Sequence, residues 1–469
     1  MADDLCYISA TDAIAAFRKK TLSPVELVDA LIARCESANP KINAFTYTFF
    51  DRARDQARQA EQRYRSGRVR KLEGVPVVIK DQHEMKGEIT THGSRLYENH
   101  VDQVSQPFVD RLLRAGAIVL GRSTTPEFAS ATVTHSELWG VTRNPWNTRY
   151  APGGSTGGGA AAVAAGMTTL SDGGDFAGSI RVPASCCGVF GYKPPVGRVP
   201  MLPPGNFNDH VSHGPIARTV ADAALMYGVM AGPDPVDMTA APGRPTIPAS
   251  FEPLKGWKMA FSPDLGFFEV VPEVAKAVRA ALDAFRSMGC TIEEIDLDWD
   301  ERTVLAFLVQ SRELGFVRPQ DMTAKQRAML SQYILHRPKR LAKAKHLRYT
   351  DGLLIKSEMY DKLQPFLDRN RILLCPTLSV PSVKATHSPI DFSFKINGRK
   401  VEPGIGWCLT FPFNILGTLP AATVPCGFAK SGVPIGLQIV GRPYDDASVF
   451  HAAAAFEKAR PWVQHRPKI

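Results

Sequence analysis

An α/β fold, a mixed central β-sheet covered by helices on both faces, is predicted by three observations. Short apolar runs alternate with helical segments: GVPVVIKD at 74–81, a helix over 106–116, then the strand AIVLGR at 117–122. The alternation resumes with WKMAFS at 257–262, a helix over 272–288 and TIEEIDL at 291–297. Near the end, ILLCPT (372–377) and PAATVPCGF (420–428) read as strands, and PIGLQIVGR (434–442) as a hairpin partner.

The remaining elements follow from local signals. Residues 9–65 read as helices; Ser23-Pro24-Val25-Glu26 matches a capping box with proline at the first helical position, and Val25, Leu27, Val28, Leu31 and Ile32 recur at helical spacing. A helix over 157–167 is followed by a glycine-rich turn, DGGDFAGS, and by IRVPASCCGVFGYKPP, and a helix over 219–231 stops at Gly232-Pro233. Residues 301–372 are mainly helical and charged, and a last helix spans 446–459. With no internal repeat and no clear linker, the reading is one domain over 1–469, with an N-terminal helical region to about residue 65 and a helical insertion over 301–372.

At 469 residues and 44% hydrophobic, the chain can supply a substantial core, and 22% charged residues fit a folded globular protein. The start, MADDLCYISA, is acidic where a secretory signal is basic, and no uncharged apolar run reaches the roughly 20 residues of a membrane span, so a cytoplasmic protein with no membrane partner is expected. Eight cysteines without CxxC spacing read as reduced, mostly buried thiols. Much of the net charge of +10 sits in HRPKRLAKAKHLR (336–348), which lacks interleaved aromatics. It reads as a solvated helix face, and no nucleic-acid partner is expected.

The stretch APGGSTGGGAAAVAAG (151–166) carries the sharpest question. A phosphate loop is disfavoured because no Lys-Ser or Lys-Thr follows the glycines. Gly153-Gly154-Ser155-Thr156-Gly157 satisfies GxSxG, yet the preceding NPWNTRYAP is poor in strand formers, and the late histidines His451 and His465 sit on a helix and in a polar tail. Alone, the cluster is a glycine turn feeding an alanine helix. A second serine stands in a glycine turn downstream, in Asp175-Phe176-Ala177-Gly178-Ser179-Ile180-Arg181-Val182-Pro183-Ala184, where small residues let backbone N–H groups converge.

At these two segments the chain resembles the amidase signature family, whose pattern runs GGSSGG, an alanine-rich helix, then DxGGSIRxPA. The family's lysine element GxPxxxKD is matched by Gly74 to Asp81, with Lys80 in place. Asn144-Pro145-Trp146, Gly188 to Pro194, Gly214 to Thr219, the late PCGF and GLQIVG, and Phe456-Glu457 extend the resemblance over nearly the whole chain. Thr156 replaces the second serine of GGSS, and Ala177 replaces the first glycine of GGS.

The resemblance implies an amidohydrolase of the amidase signature fold with a Ser-cisSer-Lys triad. Ser179 is then the nucleophile, Ser155, after a cis peptide, the bridging serine, and Lys80 the base, with the oxyanion held by backbone N–H groups of about Phe176, Ala177, Gly178 and Ser179. Physical chemistry runs the same way: a serine hydroxyl needs a base, and a lysine ending the apolar run VPVVI is pushed by burial toward its neutral form. Asp175 and Arg181 are expected to hold the turn. A small-molecule amide is the expected substrate, with aryl or alkyl amides, esters and carbamates within reach of one acyl-enzyme, no cofactor, and a homodimer as the family-level expectation. The alternatives are the glutaminase-type subunit of a tRNA-dependent amidotransferase, which needs partner subunits, and a catalytically silent binding protein.

His83, His92 and His135 lie near the motif-bearing strands without HExxH or Cys/His spacing, so they read as ordinary hydrogen-bonded histidines. Cys187 reads as a core thiol, and Phe128 and Trp139 as aromatic residues of the core or of a pocket wall. Activity is therefore expected to survive chelators; inhibition by a chelator that added zinc reverses would overturn the metal-free reading.

Overall fold

The apolar run that ends on Lys80 is buried on both sides, which places it inside a sheet rather than at an edge. In the computed structural model, which describes residues 2–315 and 317–469, it forms the strand β2 (Pro76–Lys80), every residue of which is buried. Val77 and Ile79 enter one core cluster while Val78 enters another. Alternation of side chains across the pleat produces this split. The strand therefore has helices on both faces.

Around β2 the sheet contains β1 (Phe45–Thr48), β3 (Ile118–Ser123), β4 (Leu170–Asp175), β5 (Phe190–Lys193), β6 (Ser212–Ala217), β7 (Lys258–Phe261), β8 (Thr291–Glu294), β9 (Ile372–Pro376), β10 (Ala421–Phe428) and β11 (Pro434–Gly441). Its spatial order is β1-β3-β2-β4-β6-β5-β10-β11-β9-β7-β8. The pairs β3/β2, β2/β4, β9/β7 and β7/β8 are parallel. The other neighbours are antiparallel, including the β10/β11 hairpin. The sheet is mixed and doubly covered, as the sequence predicts.

One core runs the length of one face, joining Val77 and Leu170 to Phe261, Leu374 and Ile439 under the helices Pro107–Arg114, Val220–Met230, Pro272–Ser287 and Asp446–Ala459. Two cores share the opposite face. The first holds the helices Pro24–Ile42 and Gly157–Ala164; the second holds Arg302–Glu313 and Tyr349–Arg369. Ser23 caps its helix with the expected capping box, Glu26 accepting from the Ser23 backbone at 2.7 Å. All eight cysteines are buried, and no disulfide forms among the described residues. Among the described residues, no helix is long and apolar enough to cross a membrane.

Three expectations need correction. Residues 9–65 are not all helical, because Phe45–Thr48 is a strand that pairs antiparallel with β3. The glycine-rich segment at 172–179 is not only a turn. Its first half is the end of β4, where Gly173 and Gly174 sit because a Cβ there would meet Ile180 Cγ1 at 2.8 Å and His83 Nε2 at 3.1 Å. Close packing overrides glycine's poor strand propensity here. The basic stretch 336–348 breaks into short turns of helix instead of one continuous helix face, although Lys339, Lys343, Lys345 and Arg348 are exposed as expected. Arg337 turns inward and donates to Ser311 O at 2.9 Å, and Arg340 pairs with Glu402.

The helix Gly157–Ala164 is buried on every side, so its glycines are places of contact. A Cβ on Gly158 would lie 2.5 Å from Thr124 N and 2.6 Å from Ala44 O, both backbone atoms that cannot swing aside. Gly158→Ala is expected to lower stability by about 1–3 kcal/mol through overpacking. Urea unfolding measures this, and an unchanged midpoint would contradict the packing described.

Candidate active site

Parallel pairing of β2 and β4 brings their C-terminal ends to the same edge of the sheet, and these ends carry Lys80 and Asp175. The backbone N–H of Lys80 donates to Asp172 Oδ1 at 2.8 Å, while Asp172 Oδ2 meets His83 Nδ1. Arg122 fixes the turn after β2 by donating to Lys80 O at 3.2 Å, His83 O at 2.7 Å and Thr90 Oγ1 at 2.6 Å. The Lys80 side chain is 0% exposed, and its Nζ is hydrogen-bonded to Ser155 Oγ at 2.6 Å. Burial lowers its pKa from the ordinary 10.5 to about 7, with the charges of Asp172 and Asp175 opposing the shift.

Ser155 comes from the irregular segment before the helix Gly157–Ala164, and no strand leads into it. The Gly154–Ser155 peptide is cis. Gly153 is left-handed (φ 79°), and a Cβ there would strike Pro183 Cα at 2.8 Å, so only glycine lets this loop lie against the residues after Ser179. Thr156 N donates to Ser179 O at 3.2 Å and ties the two serine segments together.

The turn that carries Ser179 is organised by one buried ion pair. Asp175 accepts from Gly178 N at 2.8 Å, Ile180 N at 3.1 Å and Arg181 NH2 at 2.9 Å. Burial would raise the Asp175 pKa, but the Arg181 charge and hydrogen bonds from Arg181 and Asn414 bring it down to about 2. Arg181, itself 0% exposed, also donates to Thr410 O at 3.0 Å, Gln438 Oε1 at 2.7 Å and Asn414 Oδ1 at 2.7 Å. Loop and hairpin residues far along the chain therefore brace the turn.

Ser155, Phe176, Ala177 and Ser179 line a cavity of about 630 Å³. Its walls include Phe128, Met201, Phe307 and Leu308, together with Arg337 and Arg340. Of the expected site residues, Lys80 and Ser155 are brought into contact. No hydrogen bond joins Ser155 Oγ to Ser179 Oγ among the described residues. The Gly178 N–H, expected among the oxyanion donors, is already taken by Asp175; among the described residues no acceptor meets the N–H groups of Phe176, Ala177 and Ser179.

His451 packs against Phe251 and Trp257, and His465 against Phe428, so neither late histidine lines the cavity. Phe128 lines it. Trp139 does not, and instead donates to Thr91 Oγ1 at 3.0 Å and packs edge-on to Tyr47.

Residues 26–450 match the sequence model of the family described as Amidase. The chain belongs to the amidase family. It is accordingly an amidase, a hydrolase acting on carbon–nitrogen bonds. It is similar to an acylamidase of Rhodococcus erythropolis, 37% identical over 480 residues that cover 99% of this chain and 98% of the relative. A glutamyl-tRNA(Gln) amidotransferase subunit from Anaeromyxobacter sp. (strain K) is 35% identical, with 97% of each chain covered. Among solved structures, a bacterial aryl acylamidase of the amidase signature enzymes superposes with a TM-score of 0.88 at 30% identity, covering 98% of this chain and 97% of that one.

Sequence reasoning did not single out Asp172, Asn414, Thr410 or Gln438. Gln438 lies inside the quoted GLQIVG, but nothing in an apolar strand marks its one amide as a partner of Arg181. Replacing Arg181 with methionine leaves Asp175 buried without its counter-charge, and breaking such a pair costs about 3–5 kcal/mol. Arg181→Met is expected to unfold at markedly lower urea and to lose activity below that transition; wild-type stability would show that the pair does not organise the turn.

Proposed function

We propose that the chain hydrolyses uncharged carboxamides through a serine acyl-enzyme, with Ser179 as nucleophile, Ser155 as proton relay and Lys80 as base. The observation that carries this reading is the Lys80 Nζ to Ser155 Oγ contact of 2.6 Å, made by a lysine whose burial holds its pKa near 7. A lysine in bulk water would be almost wholly protonated at neutral pH and could accept nothing.

In the forward step Ser179 Oγ attacks the carbonyl carbon, its proton passes to Ser155, and the Ser155 proton passes to Lys80 Nζ. The oxyanion is held by the unspent N–H groups of Phe176, Ala177 and Ser179, while the Gly178 N–H keeps the turn in shape through Asp175. Lys80 returns its proton through Ser155 to the leaving nitrogen, the C–N bond breaks, and the amine departs. Water then repeats the sequence on the Ser179 ester and releases the acid. The largely apolar cavity favours amides with aryl or alkyl bulk on at least one side, and esters or carbamates fit the same chemistry.

The eight buried cysteines, with no disulfide among the described residues, suit a reducing, cytoplasmic setting. Among the alternatives, the reading as one subunit of a larger amidotransferase is favoured by the amidotransferase relatives. Turnover of a simple anilide by the purified chain supports the autonomous enzyme; turnover seen only with added partner subunits supports the other.

Ser179→Ala is expected to abolish hydrolysis with the fold intact, Lys80→Ala to be comparably severe, and Ser155→Ala to lose much of kcat while keeping slow turnover. Native-like rates in Ser179→Ala would sink the assignment. The pH dependence follows from the sign of the Lys80 shift. The catalytic form is neutral, so kcat/KM for a non-ionising anilide falls below about pH 7 as Lys80 takes up a proton, and levels off above it. A profile flat through neutrality, falling only in the carboxylate range, would mean a different base.

A further inference from the structure

Glu127 is 1% exposed, and its carboxylate is held by neutral donors. Ser94 Oγ donates to Oε1 at 2.6 Å; Ser331 donates to Oε2 from its amide at 2.8 Å and again from its hydroxyl. The Glu127 N–H donates to the Tyr333 hydroxyl oxygen at 2.6 Å, and that hydroxyl donates to His135 O at 3.1 Å. Three stretches of chain far apart in sequence meet at this side chain, and each supplies cavity wall: His92 and Tyr97, Phe128 and Ala131, Tyr333 and Arg337.

The residues after Glu127 need such a clamp. Phe128 and Ala129 are both left-handed at φ 52°, and the Phe128 N–H donates at 2.7 Å to the carbonyl of His92, which is also at φ 52°. A bulky residue in this region is strained, and the conformation persists only where its surroundings over-determine it. The bonds of Glu127 supply that determination from the insertion side and the 92–97 side at once. A buried carboxylate that meets no cation among the described residues is costly to keep, and here it joins parts of the cavity wall.

We propose that Glu127 is a positioning residue that sets the shape of the substrate cavity, holding Phe128 and Tyr333 as a wall fitted to bulky amides and so fixing the preference for them over compact ones. This rests on reading the cavity as the substrate site. If the clamp is lost, Phe128 is free to leave the left-handed conformation and the wall shifts, whereas Lys80, Ser155 and Ser179, braced by Asp172, Asp175 and Arg181, keep their places.

The test compares kcat and KM for a bulky aryl amide and for the smallest amide the wild-type enzyme turns over. Glu127→Ala is expected to lower the ratio of kcat/KM, bulky over compact, by about tenfold, with the loss in the KM of the bulky substrate. Tyr333→Phe, which removes the acceptor of the Glu127 N–H, is expected to move the ratio the same way. Glu127→Gln, which keeps an acceptor for Ser331 and lets Ser94 bond to the amide nitrogen, is expected to restore it. A parallel fall for both substrates, or an unchanged ratio, would overturn the proposal. Where Glu127→Ala does not fold, the ratio in Tyr333→Phe decides alone. Being a ratio between substrates of one enzyme, the readout stands whichever residue attacks, and the nucleophile assignment fails separately through turnover in Ser179→Ala.

Discussion

The proposed chemistry depends on keeping the amine of Lys80 out of water at the end of an internal strand. Its side chain is fully buried, its backbone is held by Asp172 and Arg122, and its Nζ finds a hydroxyl instead of a carboxylate. Asp172 lies close enough to oppose the pKa shift, yet it is engaged by the Lys80 backbone N–H and by His83. Had that carboxylate paired with the ammonium, the lysine would have stayed charged, and Ser155 would face a donor only. The neighbouring Asp175 is removed from Lys80 in the same manner, by Arg181 and Asn414. Two buried acids are thus given other work, and the amine is left to the serine.

The fold was legible in the sequence where burial and periodicity agree. β2, β3, the late hairpin, and the helices over 272–287 and 446–459 all come out near their expected limits. The central part of the sheet was harder to read. β4 carries Gly173 and Gly174 because His83 and Ile180 press on it, and β5 and β6 were not assigned at all; their residues are chosen by the packing around them. The basic stretch at 336–348 shows the converse. Four of its six charges are solvated, but Arg337 and Arg340 face the C-terminal end of the helix Arg302–Glu313 and Glu402, partners that only the fold brings near.

For the candidate site, the motifs pointed to Lys80, Ser155 and the turn of Ser179, and the structure brings the first two into contact. They did not give the division of labour among the backbone amides, because a motif does not reveal that the Gly178 N–H is spent on Asp175. The bracing residues Asn414, Thr410 and Gln438 lie more than two hundred residues away from the turn and become partners only through sheet order and loop return. Nor did sequence reasoning reach Glu127, whose three donors come from two other segments.

The central claim is that Ser179, and not the serine in contact with the buried lysine, forms the covalent bond. Treating the wild-type chain with a serine-reactive fluorophosphonate, digesting it and sequencing the modified peptide by mass spectrometry tests this directly. The account predicts a single adduct on Ser179, with Ser155 unmodified. An adduct on Ser155, or on any residue outside the turn held by Asp175 and Arg181, would contradict it.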